Sequence, residues 1–450
     1  MDFTPWTLLV DAGIISVLLL IGKLIRVKSR LVQKLFIPPS LIAGFLGLAL
    51  GNEGFGILPF SGMLGTYASI LIAIIFGCLP FSSGSGKSGS GRDIGKMWAY
   101  SQTGMLLQWG LGGLLGLLVL QQVWGVHPAF GLCMPAGFVG GHGSAAALGT
   151  AFAKLDFEDM MTLGMTAATV GILGSVLAGL ALIKWGTSKG YTAFLNDFDK
   201  LPTELRTGLL PKEKRPSMGD SSISSISIDS LAFNFAILIT MALIAYGASQ
   251  WIASLSETYW GFKLEMPVFS CAFIVAMLGK LLFHRTGVLE YVSPKTVGHV
   301  SGTCTDYLVA FGISSIKLSV VLDNIVPLLI LLLIGLVVTL IYVLLVGRFM
   351  VREYWFEKSM FTWGWFTGTM AMGIALLRVV DPEMRSRCLD DYGLAYIFIA
   401  PVEISLITFA PMAFGLGYGL TFSLAALAIA LVIMSIAVFK GWFLSSNVPH

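Results

Sequence analysis

Apolar residues run along this chain in stretches of about 20, broken by short polar or basic segments and without strand-like alternation. A helix of that length crosses roughly 30 Å of hydrocarbon. The stretches predict spans near 6–25, 37–52, 62–80, 98–122, 160–184, 231–253, 267–283, 299–316, 322–347 and 393–412. Residues 418–440 predict a possible eleventh span, joined through Gly415, Gly417 and Gly419; a long, broken tenth helix is the rival reading. Two further apolar segments, near 129–154 and 358–379, are interrupted by glycine and read as re-entrant hairpins. The fold class predicted is an all-α polytopic membrane protein. Its parts are an N-terminal membrane repeat (1–184), a polar, serine-rich cytoplasmic linker (185–229), a C-terminal membrane repeat (230–417) and an extra span with tail (418–450).

Composition agrees. With 56% hydrophobic residues, 12% charged and a mean hydropathy of +0.84, a soluble protein is excluded. The first span lacks a small-residue cleavage site and is followed by basic residues, so it reads as retained rather than as a signal peptide. The five cysteines are scattered, without metal-ligand spacing, and read as small buried hydrophobes. Placing the N-terminus outside leaves only Lys154, Lys263 and Lys317 of the 28 Lys and Arg residues on the outer side. The positive-inside rule favours that topology, which makes the two halves antiparallel.

The halves also echo one another. The segment Gly65–Ala73 is similar to Gly302–Ala310, and Ile37-Pro38 opens the second span as Met266-Pro267 opens its counterpart. Both offsets are near half the chain length. Antiparallel halves with such echoes predict two inverted five-helix repeats, with a solute bound near mid-membrane between them. The two glycine-rich segments, Pro135–Ser144 and Trp363–Gly373, fall at corresponding places in these halves. Glycine frees the backbone from helical geometry, and a bilayer tolerates freed backbone only inside protein or beside water.

Five pieces of sequence carry a resemblance: Ile37–Gly44, Gly140–Gly143, Met165–Gly171, Leu264–Pro267 and Gly312–Leu318. In their order and coverage the chain resembles the bacterial sodium/glutamate symporter family, Gly140-Gly141-His142-Gly143 being the most distinctive piece. The resemblance implies ten core helices in two inverted halves, two re-entrant hairpins, a homodimer and elevator-like alternating access. It implies sodium-driven uptake of glutamate or a related small anion across the bacterial inner membrane. The chain departs from the family's pattern at Ser144-Ala145, at Gly368–Gly373 and along Leu406–Met412, where the family's acid and asparagine are missing.

Candidate site residues follow from these segments. Gly140, Gly141, Gly143 and Ser144 offer backbone N–H groups and a hydroxyl to a carboxylate, with His142 orienting the hairpin; close helix packing is the plainer use of such small residues. Thr367, Gly368 and Thr369 offer oxygen donors to sodium or to a substrate ammonium, although Thr hydroxyls also bond their own helix. Asp306, beside Thr303 and Thr305, and Glu403 are carboxylates placed within spans, costly there and so candidates for ion coupling. Arg378 reads as an edge anchor paired to Asp381, and Asp11 and Asp323 as interfacial. Ser83–Gly91 looks like a phosphate loop but lacks the preceding glycine and strand, and reads as a linker.

No catalytic constellation, cofactor motif, structural metal site or basic patch for nucleic acid is visible. The expectation is therefore a non-enzymatic secondary transporter, with sodium as coupling ion and a small anionic solute as cargo. A cation/proton antiporter or a channel on the same scaffold is the alternative.

Overall fold

A computed structural model describes residues 4–34, 37–82, 90–155, 157–195, 207, 209–215, 217, 219, 221–224, 226–260, 266–382 and 384–442. Ser83–Gly89 of the expected Ser83–Gly91 linker, part of the central loop (196–206 and five single positions), and Lys263 and Leu264 lie outside these residues. Among the described residues the chain is 82% helical, without strands. Nine helices among these residues are long and apolar enough to cross a membrane.

In chain order the main helices are α1 (Pro5–Lys28), α2 (Pro39–Leu50), α3 (Leu64–Ser82) and α4 (Gly91–Leu115, prolonged through a π-turn to Trp124). Next come α5 (Cys133–Phe138), α6 (Gly141–Phe152) and α7 (Asp159–Ser188). The second half supplies α8 (Ser230–Trp260), α9 (Val268–Thr286), α10 (Pro294–Ser314) and α11 (Ile325–Met350). It ends with α12 (Trp355–Thr367), α13 (Met370–Val380), α14 (Cys388–Gly415) and α15 (Gly419–Phe439). The expected eleventh span is thus a separate helix, cut from α14 where Gly417 adopts a left-handed φ of +80°. The second expected span is the short α2, of 12 residues. It stops because the turn after it folds back: the N–H groups of Phe55 and Leu58 bond the carbonyls of Ala49 and Leu50, and Asn52 Nδ2 bonds the Phe60 carbonyl at 2.9 Å.

The chain forms two compact units, and each draws on both halves of the sequence. The first comprises Met1–Lys23, Pro39–Ser85 and Leu210–Ser315. Within it α3 lies along α9 and α10, α2 along α10, and α8 along α9. Gly44 and Gly47 bring α2 onto α10: a Cβ at Gly44 would stand 2.6 Å from Ile313 Cβ. Ile15, Leu18, Phe60, Tyr67 and Phe311 form one apolar cluster. Beside it Asp11 is fully buried within the protein. Its carboxylate accepts from Ser61 N at 3.1 Å, Ser61 Oγ at 2.5 Å and Tyr67 Oη at 3.1 Å, so three donors answer the cost of its burial.

The second unit comprises Leu24–Pro38, Gly86–Leu209 and Ile316–His450. At its centre α4 contacts α11, α14 and α15. A Cβ at Gly110 would lie 2.5 Å from Leu427 Cγ, and one at Gly104 would strike Phe366. Small residues at these contacts are how membrane helices gain close packing without a hydrophobic drive between them. Tyr100 and Tyr342 stack with centroids 5.6 Å apart, and each hydroxyl donates to a carbonyl on the other's helix. Outward, large apolar side chains such as Leu333 and Leu431 are exposed, as a bilayer requires.

Replacing Asp11 by Leu strands the Ser61 and Tyr67 donors in the first unit. The expected outcome is a loss of about 2–3 kcal/mol, seen as a lower melting temperature in detergent, against about 1 kcal/mol for Tyr67→Phe.

Candidate functional site

Both glycine-rich segments fold as helix–break–helix pairs in the second unit. In the first, α5 and α6 are parted at Val139 and Gly140, and Gly141 has φ +61°, a left-handed conformation that costs an L side chain about 1–2 kcal/mol. In the second, α12 and α13 are parted at Gly368 and Thr369. Gly364 on α12 meets Gly373 on α13 so closely that a Cβ would lie 2.6 Å from the opposing Cα. The arms of this pair therefore touch backbone to backbone. Trp363 Nε1 donates to the Ser175 carbonyl of α7 at 3.0 Å, and Gln108 Nε2 on α4 caps the Phe366 carbonyl at 3.0 Å. Gly171 on α7 lies directly against the Thr367 carbonyl.

The two breaks meet. A Cβ at Gly141 would stand 2.7 Å from Thr369 Cγ2 and 2.8 Å from the Gly368 carbonyl oxygen. Glu403 of α14 reaches the same spot: its Oε1 lies 3.3 Å from where a Gly140 Cβ would be. It is buried, hydrogen-bonded to Ser144 and to Tyr396 Oη, the latter at 3.3 Å. Among the described residues no Lys or Arg pairs with it. The first turns of α6 and α13 begin here, and first-turn N–H groups have no helical carbonyl to bond. Thr369 answers one of them, its hydroxyl accepting from Met372 N at 3.4 Å. The surroundings thus combine backbone donors and positive helix ends with one unpaired carboxylate.

Of the predicted site residues, the structure brings together Gly140–Ser144, Thr367–Thr369 and Glu403. Thr367 Oγ1 also donates to the Trp363 carbonyl at 2.7 Å. Asp306, Thr303 and Thr305 stand elsewhere, on α10 of the first unit. Both Thr hydroxyls there bond their own helix, at His299 O (2.9 Å) and Ser301 O (2.8 Å), and Asp306 bonds Ser40. Arg378 is exposed; the carboxylate of buried Asp381 takes the N–H groups of Arg385 and Ser386 instead, because they close the turn after α13. Sequence reasoning missed Thr169, whose Oγ1 lies 3.0 Å from His142 Nε2, and Tyr396 and Gln108. Thr169 lies in the quoted piece Met165–Gly171, but nothing in its spacing marks it as the residue that meets His142. A buried ion pair, Lys358–Asp391 at 3.4 Å, joins α12 to α14 at the end away from the break. All five cysteines are buried and free.

Broken helices whose tips meet inside a bundle of apolar helices define a multi-pass membrane protein of transporter type. The sequence pattern of the sodium/glutamate symporter family matches residues 7–370, and the chain belongs to that family. A comparison with individually curated proteins finds no match. The family match takes in both breaks and ends before α14, so Glu403 falls outside it.

If the break geometry is what matters, Gly141→Leu abolishes transport while membrane abundance stays normal, since its side chain has nowhere to go but into Gly368 and Thr369. Gly141→Ala is expected to lower the melting temperature by the left-handed penalty of about 1–2 kcal/mol and more from the clash. Unimpaired uptake by Gly141→Leu contradicts the placement of the site.

Proposed function

We propose that the protein is a secondary carrier that couples a cation gradient, sodium's, to uptake of glutamate or a related small carboxylate. The observation that carries this reading is the meeting of the two helix breaks beside the unpaired Glu403. An anionic group finds donors at the first turns of α6 and α13, and a cation finds hard oxygens on Glu403, Ser144, Thr367 and Thr369. Neither charge is stable alone in such a low-dielectric place, so cargo and cation are bound together. Asp306, Thr303 and Thr305 remain candidates for a second cation, on the first unit. One charge crossing 100 mV supplies about 2.3 kcal/mol, enough for useful accumulation when more than one cation crosses.

The breaks are packed shut, so loading requires them to part, and an elevator-like displacement of the second unit against the first is the reading adopted for alternating access. Element order supports an inverted repeat. Three helices, then α4, a broken pair and α7, match three helices, then α11, a broken pair and α14. Within the first unit the reciprocal contacts α2–α10 and α9–α3 fit the same pairing. The domain halves 1–184 and 230–417, a homodimer, and a bacterial inner-membrane location with the N-terminus outside complete the proposal. A cation/proton antiporter or channel is the second reading, favoured by one observation: the carboxylate at the breaks lies beyond the residues the family match covers.

Purified protein in liposomes is expected to take up labelled glutamate only with an inward sodium gradient, and Glu403→Gln to lose that dependence with at least tenfold lower uptake. Absence of gradient-driven uptake for glutamate and a panel of carboxylates refutes the carrier. Exchange of sodium for protons without any organic solute establishes the antiporter.

A further inference from the structure

His142 is buried to 1% exposure in the first turn of α6, immediately after the left-handed Gly141. Its Nε2 lies 3.0 Å from Thr169 Oγ1, and Thr169 Oγ1 is also 2.9 Å from the Met165 carbonyl oxygen of its own helix. A threonine hydroxyl carries one hydrogen. The carbonyl is acceptor only, so that hydrogen goes to Met165, and Thr169 Oγ1 must accept from His142. The proton of a neutral imidazole is then on Nε2, and Nδ1 is left as a bare lone pair. Nδ1 is buried and has no hydrogen-bond partner among the described residues. Nδ1 is bonded to Cγ, so while Nε2 reaches away to α7 it stays near the first turn of α6, one residue after the Gly141 that meets Gly368 and Thr369. A buried acceptor left unanswered is costly and marks a place where a donor belongs.

We infer that His142 Nδ1 receives an N–H of the substrate's ammonium group, and that Thr169 is the positioning residue that holds the ring in the required tautomer. This inference rests on the carrier reading and names the residues that would read the amine: through them a dicarboxylate of the same length without that group is discriminated against. The alternatives at this atom are weaker. Sodium prefers hard oxygen ligands, which Glu403 and the Thr hydroxyls supply, over an imidazole nitrogen. A carboxylate has no hydrogen to give. With the opposite tautomer an N–H would point at the ammonium and repel it, so the discrimination depends on the Thr169 bond as well as on the ring.

The test compares binding of glutamate and glutarate in sodium buffer by wild type, Thr169→Val and Thr169→Ser. Glutamate is expected to bind the wild type roughly tenfold or more tightly than glutarate, the worth of a hydrogen bond to a charged group. Thr169→Val keeps the side-chain volume but offers no acceptor; it should weaken glutamate alone and shrink the ratio several-fold. Thr169→Ser should restore it. An unchanged ratio in Thr169→Val, or equal weakening of both ligands, overturns the assignment. Independently of any ligand, nitrogen-15 NMR of ring-labelled histidine, with His142→Gln to assign the signal, should find Nε2 protonated and Nδ1 bare. A protonated Nδ1 overturns the inference even if glutamate binds. Failure of the wild type to bind glutamate at all, with the NMR signature intact, overturns the carrier's substrate reading and the ammonium role with it, while the tautomer stands.

Discussion

Inside a bilayer the peptide group has no water to fall back on, and every N–H and C=O left out of a helix needs a partner made of protein. The second unit concentrates its means on that demand. Gln108 caps the Phe366 carbonyl and Thr369 takes the Met372 N–H, while Trp363 ties the broken pair to α7 through the Ser175 carbonyl. Gly171 makes room for the Thr367 carbonyl. The interruption at Gly368 and Thr369 is met by Gln108 of α4, by the space Gly171 leaves on α7 and by the capping hydroxyl of Thr369.

Much of this was legible in the sequence. Runs of apolar residues give the order of the helices, and nine of the expected spans are long and apolar enough to cross hydrocarbon among the described residues, whereas α2 and α10 are not among those nine. Glycine in such a run is costly enough that Gly140, Gly141 and Gly368 announce breaks before any coordinates exist. The separate α15 was one of two open readings, settled by a single residue, Gly417, whose left-handed φ ends the preceding helix. The short α2 was overestimated because hydropathy sees apolarity, while the stop depends on backbone bonds of the following turn.

The site was legible only in part, and the reason is physical. Chain position says which residues are broken out of helix, so the two breaks and Glu403 could be named. It does not say which distant side chains complete them. Thr169 and Gln108 look like ordinary helix residues in sequence; only the packing of α7 and α4 against the breaks gives them a role. In sequence Asp306 stood out as an intramembrane acid and Asp11 did not. Three donors make Asp11 a structural knot, whereas Asp306 is exposed on α10 with Ser40 as its partner.

The Lys358–Asp391 pair has a mechanical meaning. Opposite charges enclosed away from water act as a pin: drawing them apart by even one helical turn, without solvent to take them up, costs several kcal/mol. The pair therefore resists sliding of α12 along α14 and ties the second broken pair to the helix bearing Glu403.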